Sequence, residues 1–278
     1  MKKVMLTLAC VLFAVSSASA MPLRLDASAA LGDGSGTAGD TSDDYGVTGT
    51  FDEMQFYGTT TSIDNADTTF SDSGDLKITS LIGLSGGSAF LNLPEADAGS
   101  TLANWYLVGG WTGVTGTATP TSMTSAHYEY NSEGTLYLYA TSTEGVFTGV
   151  EVAELSLIDG NGDLTGIDVD GSGNGTAEDG SILLRWKFED ILDGFWLDEN
   201  GDALSLDDLG DNEILLAVAD ANTHNVVLTY NPGDGTTTIT ADHDGSVSVG
   251  VVPEPATMAL FGTGLFGLAG AGLRKKRA

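Results

Sequence analysis

Cysteine and positive charge are both scarce in this chain. Of its 278 residues one is cysteine, ten are Lys or Arg and three are His, against 39 Asp and Glu, for a formal net charge of -29. The few bases crowd the ends: Lys2 and Lys3 at one, Arg274, Lys275, Lys276 and Arg277 at the other. Only Arg24, Lys77, Arg185 and Lys187 lie between. Residues 21–255 therefore hold four bases against 39 acids, a formal charge of −35. Phosphate contacts need Lys and Arg to displace counterions, so nucleic acid is excluded as a partner. The same charge disfavours docking of this middle region onto an anionic membrane surface. Hydrophobic residues make up 41% of the chain, enough to build a core.

The one cysteine, Cys10, falls inside a segment that does not belong to the fold. Residues 1–20 run from Lys2-Lys3 through an apolar stretch, Val4 to Val15, to Ser16-Ser17-Ala18-Ser19-Ala20. A charged start, an apolar middle and an Ala-x-Ala end make a secretory signal peptide, with Ala18 and Ala20 as the small residues before the cut. The mature chain then starts at Met21 and contains no cysteine. It has no disulfide, no thiol nucleophile and no thiolate metal site.

At the other end, Pro253-Glu254-Pro255 precedes an uncharged run over residues 256–273, followed by Arg274-Lys275-Lys276-Arg277. As a helix that run spans roughly 27 Å, close to the ~30 Å of a bilayer core. Pro255 suits a first helical position, where a missing N–H costs nothing. The basic cluster stays cytoplasmic by the positive-inside rule, which agrees with an exported N-terminal side. The reading is one C-terminal transmembrane helix with a basic membrane stop.

Tripeptide, apolar helix and basic cluster, in this order behind a signal peptide, resemble the PEP-CTERM sorting signal. The resemblance covers about the last 26 residues and implies processing rather than activity. It implies that exosortase, an integral-membrane cysteine protease, acts near Pro253-Glu254-Pro255. It also implies a Gram-negative bacterium that makes exopolysaccharide and grows in biofilms. The protein would be held in the inner membrane until processed, then sent to the cell surface or extracellular matrix.

Between these signals the chain reads as β structure. Ile182, Leu184, Trp186 and Phe188 alternate with Leu183, Arg185 and Lys187, a period of two. Val226-Leu228-Tyr230, Leu136-Leu138 and Val247-Val249-Val251 alternate likewise. Further candidates are 47–57, 76–84, 104–111, 125–130, 149–158, 195–197, 214–219 and 236–240, punctuated by Gly, Asn, Asp and Pro. About a dozen short strands with turn signals predict an all-β, antiparallel, jelly-roll-like β-sandwich. The expected organisation is a signal peptide over 1–20, a flexible Gly/Asp-rich leader over 21–45, the sandwich ectodomain over 46–252 and the sorting signal over 253–278.

Patterns that carry chemistry are few. Gly83-Leu84-Ser85-Gly86-Gly87 fits Gly-x-Ser-x-Gly, but a nucleophile elbow needs a helix after it, and Ser88–Gly99 has no helical period. His127, His224 and His243 share no ligand spacing, and Asp242-His243-Asp244 before Gly245 reads as a polar hairpin turn. Calcium is the one ligand the composition suggests. Asp159, Asn161 and Asp163, then Asp168 and Asp170, place oxygens at alternate positions, and Asp198-Glu199-Asn200-Gly201-Asp202 repeats the spacing. Hard cations take six to eight oxygens, and such loops deliver several at once. The other reading is solvated acidic turns, because the EF-hand match from Asp168 is partial and no helices flank it.

Two function classes follow. The first is a non-enzymatic surface or matrix protein, sorted by exosortase and associated with exopolysaccharide. The second is a secreted carbohydrate-binding or carbohydrate-active protein. That one requires Trp105, Trp111 or Trp196 to form a solvent-facing platform.

Overall fold

The computed structural model describes residues 21–32, 47–83, 105–209 and 213–253. The signal peptide with Ala18 and Ala20, Glu254, Pro255, the 256–273 run and the 274–277 cluster lie outside the described residues, as does most of Gly83–Gly87. Among the described residues no helix is long and apolar enough to cross a membrane.

The described chain is almost entirely antiparallel β, as its alternation predicts. In order come β1 (Leu23–Leu25), α1 (Ala27–Leu31), β2 (Glu53–Asp64), β3 (Thr69–Ile82), β4 (Tyr106–Ser122) and β5 (Ser125–Tyr130). They are followed by β6 (Thr135–Thr141), β7 (Val150–Thr165), β8 (Asp168–Val169), β9 (Gly175–Ala177) and β10 (Asp179–Ile191). The last are β11 (Trp196–Asp198), β12 (Glu213–Asn231) and β13 (Thr236–Pro253).

Several strands are longer than predicted. The candidates 214–219 and 226–230 are both parts of β12, and 236–240 and 247–251 are both parts of β13. Pairing follows chain order from β2 to β7, with β5 and β6 sharing one position between β4 and β7. β7 pairs β10, β10 pairs β12, β12 pairs β13, and β13 returns to β2. The circuit of hydrogen bonds is thus closed. This sequential order differs from the Greek-key crossovers that the expected jelly roll requires. β8 and β9 form a small hairpin attached through Val226–Leu228 of β12.

The even residues of β10 point inward as their pattern predicts, with Trp186 and Phe188 buried. Met54, Phe56, Leu76, Ile78, Leu136, Leu138, Leu155 and Ala217 complete a main core, and Phe70, Tyr128, Val226 and Ile239 belong to a second cluster.

The expected flexible leader needs correction over its first part. Leu23, Leu25 and Ala27 are buried, and β1 pairs β11 through Leu23↔Asp198 and Leu25↔Trp196. The apolar alternation Leu23-Leu25 supplies the reason: it gives the segment something to bury. Asp26 caps α1 by accepting from the Ser28 N–H at 3.0 Å. β1 and α1 pack beside Trp105, Phe195 and Trp196 in the main core.

Candidate functional site

Where the two core clusters meet, the interior is polar. Asp72 of β3 is buried, and its carboxylate accepts from the Trp111 indole N–H at 2.5 Å and from the Thr60 hydroxyl at 2.8 Å. Two local features aim Trp111 inward. A register shift between Asp72 and Gly74, opposite Gly113 at φ +70°, changes which residues of β4 face in, so that Trp111 and Val114 line the interior although three residues apart. Gly74 then gives the indole room, because a Cβ there would lie 2.3 Å from the Trp111 ring. Nearby, the Tyr128 hydroxyl donates to Asp64 at 3.0 Å.

His243 of β13, two strands from Asp72 across β2, lines the same cavities as Asp72. It is 4% exposed, and its Nδ1 lies 3.0 Å from the Thr223 hydroxyl. Among the described residues its Nε2 has no hydrogen-bond partner, nor has the Tyr130 hydroxyl. Both residues line two small adjoining cavities of about 70 Å³ and about 40 Å³. The larger is walled mainly by core side chains, the smaller by Thr60, Ser62, Tyr128, Ser181 and Thr223. Cavities of this size with unpaired polar atoms suit ordered water.

Burial sets the protonation of these groups. It pushes the Asp72 carboxyl up to about 6, opposed by the hydrogen bonds from Trp111 and Thr60. It lowers His243 to about 4, with nearby His224 acting in the same direction. Burial also raises Asp64, Tyr128 and Tyr130. At neutral pH His243 is an uncharged imidazole, and Asp72 is an ionised carboxylate with no cationic partner among the described residues.

The sequence reading placed none of this. Asp242-His243-Asp244 is not a hairpin turn; it lies in the middle of β13. Asp242 accepts from the Asn225 side chain at 2.8 Å and Asp244 pairs with His224 at 3.1 Å, which leaves His243 pointing inward. The signal for Asp72 was the alternation Phe70, Asp72, Gly74, Leu76, Ile78, which puts an acid on the apolar side of a strand.

The proposed calcium ligands are not brought together. Asp159, Asn161 and Asp163 lie along β7, not in a loop. Alternate residues of a strand are about 6.6 Å apart, too far to converge on one ion without bending. Asp159 is engaged by Arg185 from the neighbouring strand, through Nε at 2.6 Å and through the second guanidinium nitrogen. Asp163 lies 2.8 Å from His127. Asp168 sits in β8, and Asp170 starts the turn beyond, where its carboxylate accepts from the Ser172 N–H at 2.8 Å, the Ser172 hydroxyl at 2.6 Å and the Asn174 N–H at 3.1 Å. Asp198 is capped in the same way by the N–H groups of Asn200 and Asp202, at 2.8 and 2.9 Å. These turns hold their own carboxylates with local amides. Among the described residues no group of three His, Cys, Asp or Glu is placed to hold a metal ion.

The tryptophan platform is also absent. Trp105 and Trp196 are buried, and Trp111 turns inward to Asp72. The outer face instead carries Tyr137 and Tyr139 of β6, with ring centroids 6.3 Å apart and planes at 26°.

No curated protein matches the chain. Among solved structures it has a faint likeness to Ail, the attachment invasion locus protein of Yersinia pestis, in complex with the heparin analogue sucrose octasulfate. The two are 11% identical, with 71% of this chain and 97% of that one covered, at a TM-score of 0.15. At that score the likeness carries no inference. The end of the chain is different: β13 finishes at Pro253, the first residue of the Pro-Glu-Pro tripeptide. Residues 251–277 match the PEP-CTERM protein-sorting motif, which implies an exported, membrane-transiting protein targeted by exosortase.

Proposed function

We propose that this chain is a non-enzymatic protein of the cell surface or extracellular matrix, delivered by exosortase and associated with exopolysaccharide. The observation that carries the reading is the sorting motif at residues 251–277, joined directly to the last strand of the ring. Because the pairing circuit of the described strands closes on itself, we read the ring as an up-and-down barrel rather than two stacked sheets. Edge strands invite pairing with other chains, so a closed ring suits a protein displayed at high local concentration. The outer face agrees with a hydrated, gel-like setting: Ser73, Thr61 and Thr240 form one exposed row across β3, β2 and β13. Asp72 and His243, whose titration burial shifts, are enclosed in the interior, which favours a structural role for them.

The test is the fate of the tail. Deleting residues 254–278 keeps β13 whole and should release soluble protein into the medium. Replacing Pro253, Glu254 and Pro255 by Ala should leave a full-length precursor in the inner membrane, seen by mass spectrometry of the membrane fraction. Normal processing of that triple variant overturns the reading.

One observation favours a second reading, carbohydrate binding. Tyr137 and Tyr139 offer two near-parallel rings on the outer face of β6, opposite Glu154 and Glu151 of β7. Aromatic faces stack on the C–H faces of pyranose rings, and carboxylates accept from sugar hydroxyls. Affinity electrophoresis through gels containing the exopolysaccharide of the same cells should show retardation. Tyr137→Ala with Tyr139→Ala should weaken it about tenfold, the equivalent of ~1.4 kcal/mol. Equal mobility with and without the polysaccharide removes this reading.

A further inference from the structure

The sorting motif begins at Val251, yet β13 continues to Pro253, so signal and fold share residues 251–253. These three are not a spacer. Val251, Val252 and Pro253 pair with Leu215, Ile214 and Glu213 of β12. Ile214 and Leu215 are buried, and Val251 packs against the main core. Just upstream, Val249 is buried and its carbonyl accepts the Met21 N–H at 2.7 Å. Met21 is the residue that signal-peptide removal is expected to leave first, so the expected new N-terminus is tied to the strand that leads into the tail.

Reach makes this arrangement consequential. Pro253 is separated from Ala256, where the uncharged run starts, by Glu254 and Pro255 alone. Three peptide links extend about 10 Å. With the run in a bilayer, the end of the ring that emits β13 is held at headgroup depth. Partners that take a peptide in extended form pair with its backbone N–H and C=O groups. Over Val249–Pro253 the groups that face β12 are already paired with it, and the Val249 carbonyl is taken by Met21.

We propose that the segment engaged during processing reaches upstream of the tripeptide into β13, to Val249–Pro253, and that this strand end must separate from β12 before the tail is removed. The inference rests on the chain being an exosortase substrate. Strand ends open locally at far lower cost than the whole fold, so the separation needs no global unfolding. Once the tail is gone, the strand re-pairs and the product keeps its closed ring.

A reversible cross-link tests this in the full chain, expressed in its own cells. Ile214 and Val252 are direct cross-strand partners. With Cys10 in the signal peptide, Ile214→Cys with Val252→Cys provides the only two thiols of the mature chain, in an oxidising compartment. Tail removal is followed by pulse-chase and intact mass. The oxidised variant should lose its tail at least tenfold more slowly than wild type, and a reductant added to the cells should restore the wild-type rate, which also shows that the variant folds and is exported. A control cross-link at the far end of the same two strands, Thr229→Cys with Thr238→Cys, should leave the rate unchanged. A ten-residue Gly-Ser spacer inserted before Pro253 should restore processing of the cross-linked chain. Wild-type processing of the oxidised Ile214–Val252 variant overturns the proposal, as does a block that the control cross-link shares or the spacer fails to relieve. A wild-type chain that keeps residues 254–278 overturns the sorting reading beneath it instead.

Discussion

Trp196→Ala should be the most damaging single substitution in the fold. Trp196 is fully buried, and its indole N–H donates to the Val152 carbonyl at 2.8 Å. Its ring meets Phe188 and Phe195 edge-on, at centroid distances of 5.5 and 5.6 Å. Truncating a buried Trp costs about 3–5 kcal/mol through lost transfer energy and the cavity left behind. Leaving the Val152 carbonyl without its donor adds roughly 1–3 kcal/mol. At about 2–4 °C per kcal/mol for a chain of this size, the melting temperature should fall by roughly 8–32 °C. Trp196→Phe keeps most of the apolar volume and loses mainly the hydrogen bond, so it should cost far less.

The same substitution should loosen the N-terminal segment, because Trp196 is the partner of Leu25 in the β1–β11 pairing. Arg24 lies in β1, one of only four basic residues in the middle of the chain. In the wild type the backbone of Arg24 is paired with Leu197, and its guanidinium donates from Nε to the Thr48 carbonyl at 3.2 Å. Trypsin should therefore cut slowly at Arg24 in the wild type and quickly in Trp196→Ala. Unchanged cutting at Arg24 together with a small melting shift would mean that β1 and α1 are held by something other than this aromatic cluster.

How far the sequence reveals such features depends on whether a local pattern or a distant partner decides them. The alternation in Ile182–Phe188 places β10 and its inward face correctly, because one side is apolar at every position. In β12 the same logic places Val226 and Leu228 inward but does not show how they join 214–219. Val226, Leu228 and Tyr230 share a period, but the pairing shifts between His224 and Val227, with Asn225 at φ 52°, and parity changes there. Leu215 and Ala217 face inward before the shift, Val226 and Leu228 after it, while Tyr230 at the strand's end is exposed. The shift is held by Asp242 and Asp244, which lie on another strand and read locally as a turn. Asp159 and Asp163 show the converse error. Their spacing fits a cation loop, yet the partners they meet are Arg185 and His127, supplied by neighbouring strands. The sorting tail was legible because its elements are contiguous. The polar interior was not, because Asp72, Trp111 and His243 meet only once the ring has closed.

That closure gives the last expected result: Asp72→Asn should stabilise the protein at neutral pH. Folding raises the Asp72 carboxyl from 3.8 to about 6, so the folded state binds its proton more tightly than the unfolded state does. A raised acid contributes stability below its unfolded value and loses it as pH climbs through the folded one. Above about pH 6 the charged carboxylate therefore costs roughly 3 kcal/mol, at ~1.4 kcal/mol for each tenfold change in proton affinity. His243 has the opposite slope. Its value is lowered from 6.5 to about 4, so its contribution is present above 6.5 and is lost as pH falls through 4. In the wild type the two groups offset each other between about pH 4 and 6.5. Asparagine keeps an oxygen for the Trp111 N–H and offers a donor to Thr60, whose hydroxyl turns to the Ser73 carbonyl it already reaches at 3.2 Å. The stability difference between Asp72→Asn and wild type, measured by urea unfolding at each pH, isolates this group from the other carboxylates. It should be near zero at pH 4, rise between pH 4 and 6, and level off at roughly 3 kcal/mol in favour of the variant. With Asp72 neutralised, His243 is left unopposed, and the variant should lose stability more steeply than wild type on acidification below pH 6.5. A difference that stays flat across this range, or favours wild type at pH 7.5, would show that the carboxylate is stabilised in the folded interior by more than Trp111 and Thr60.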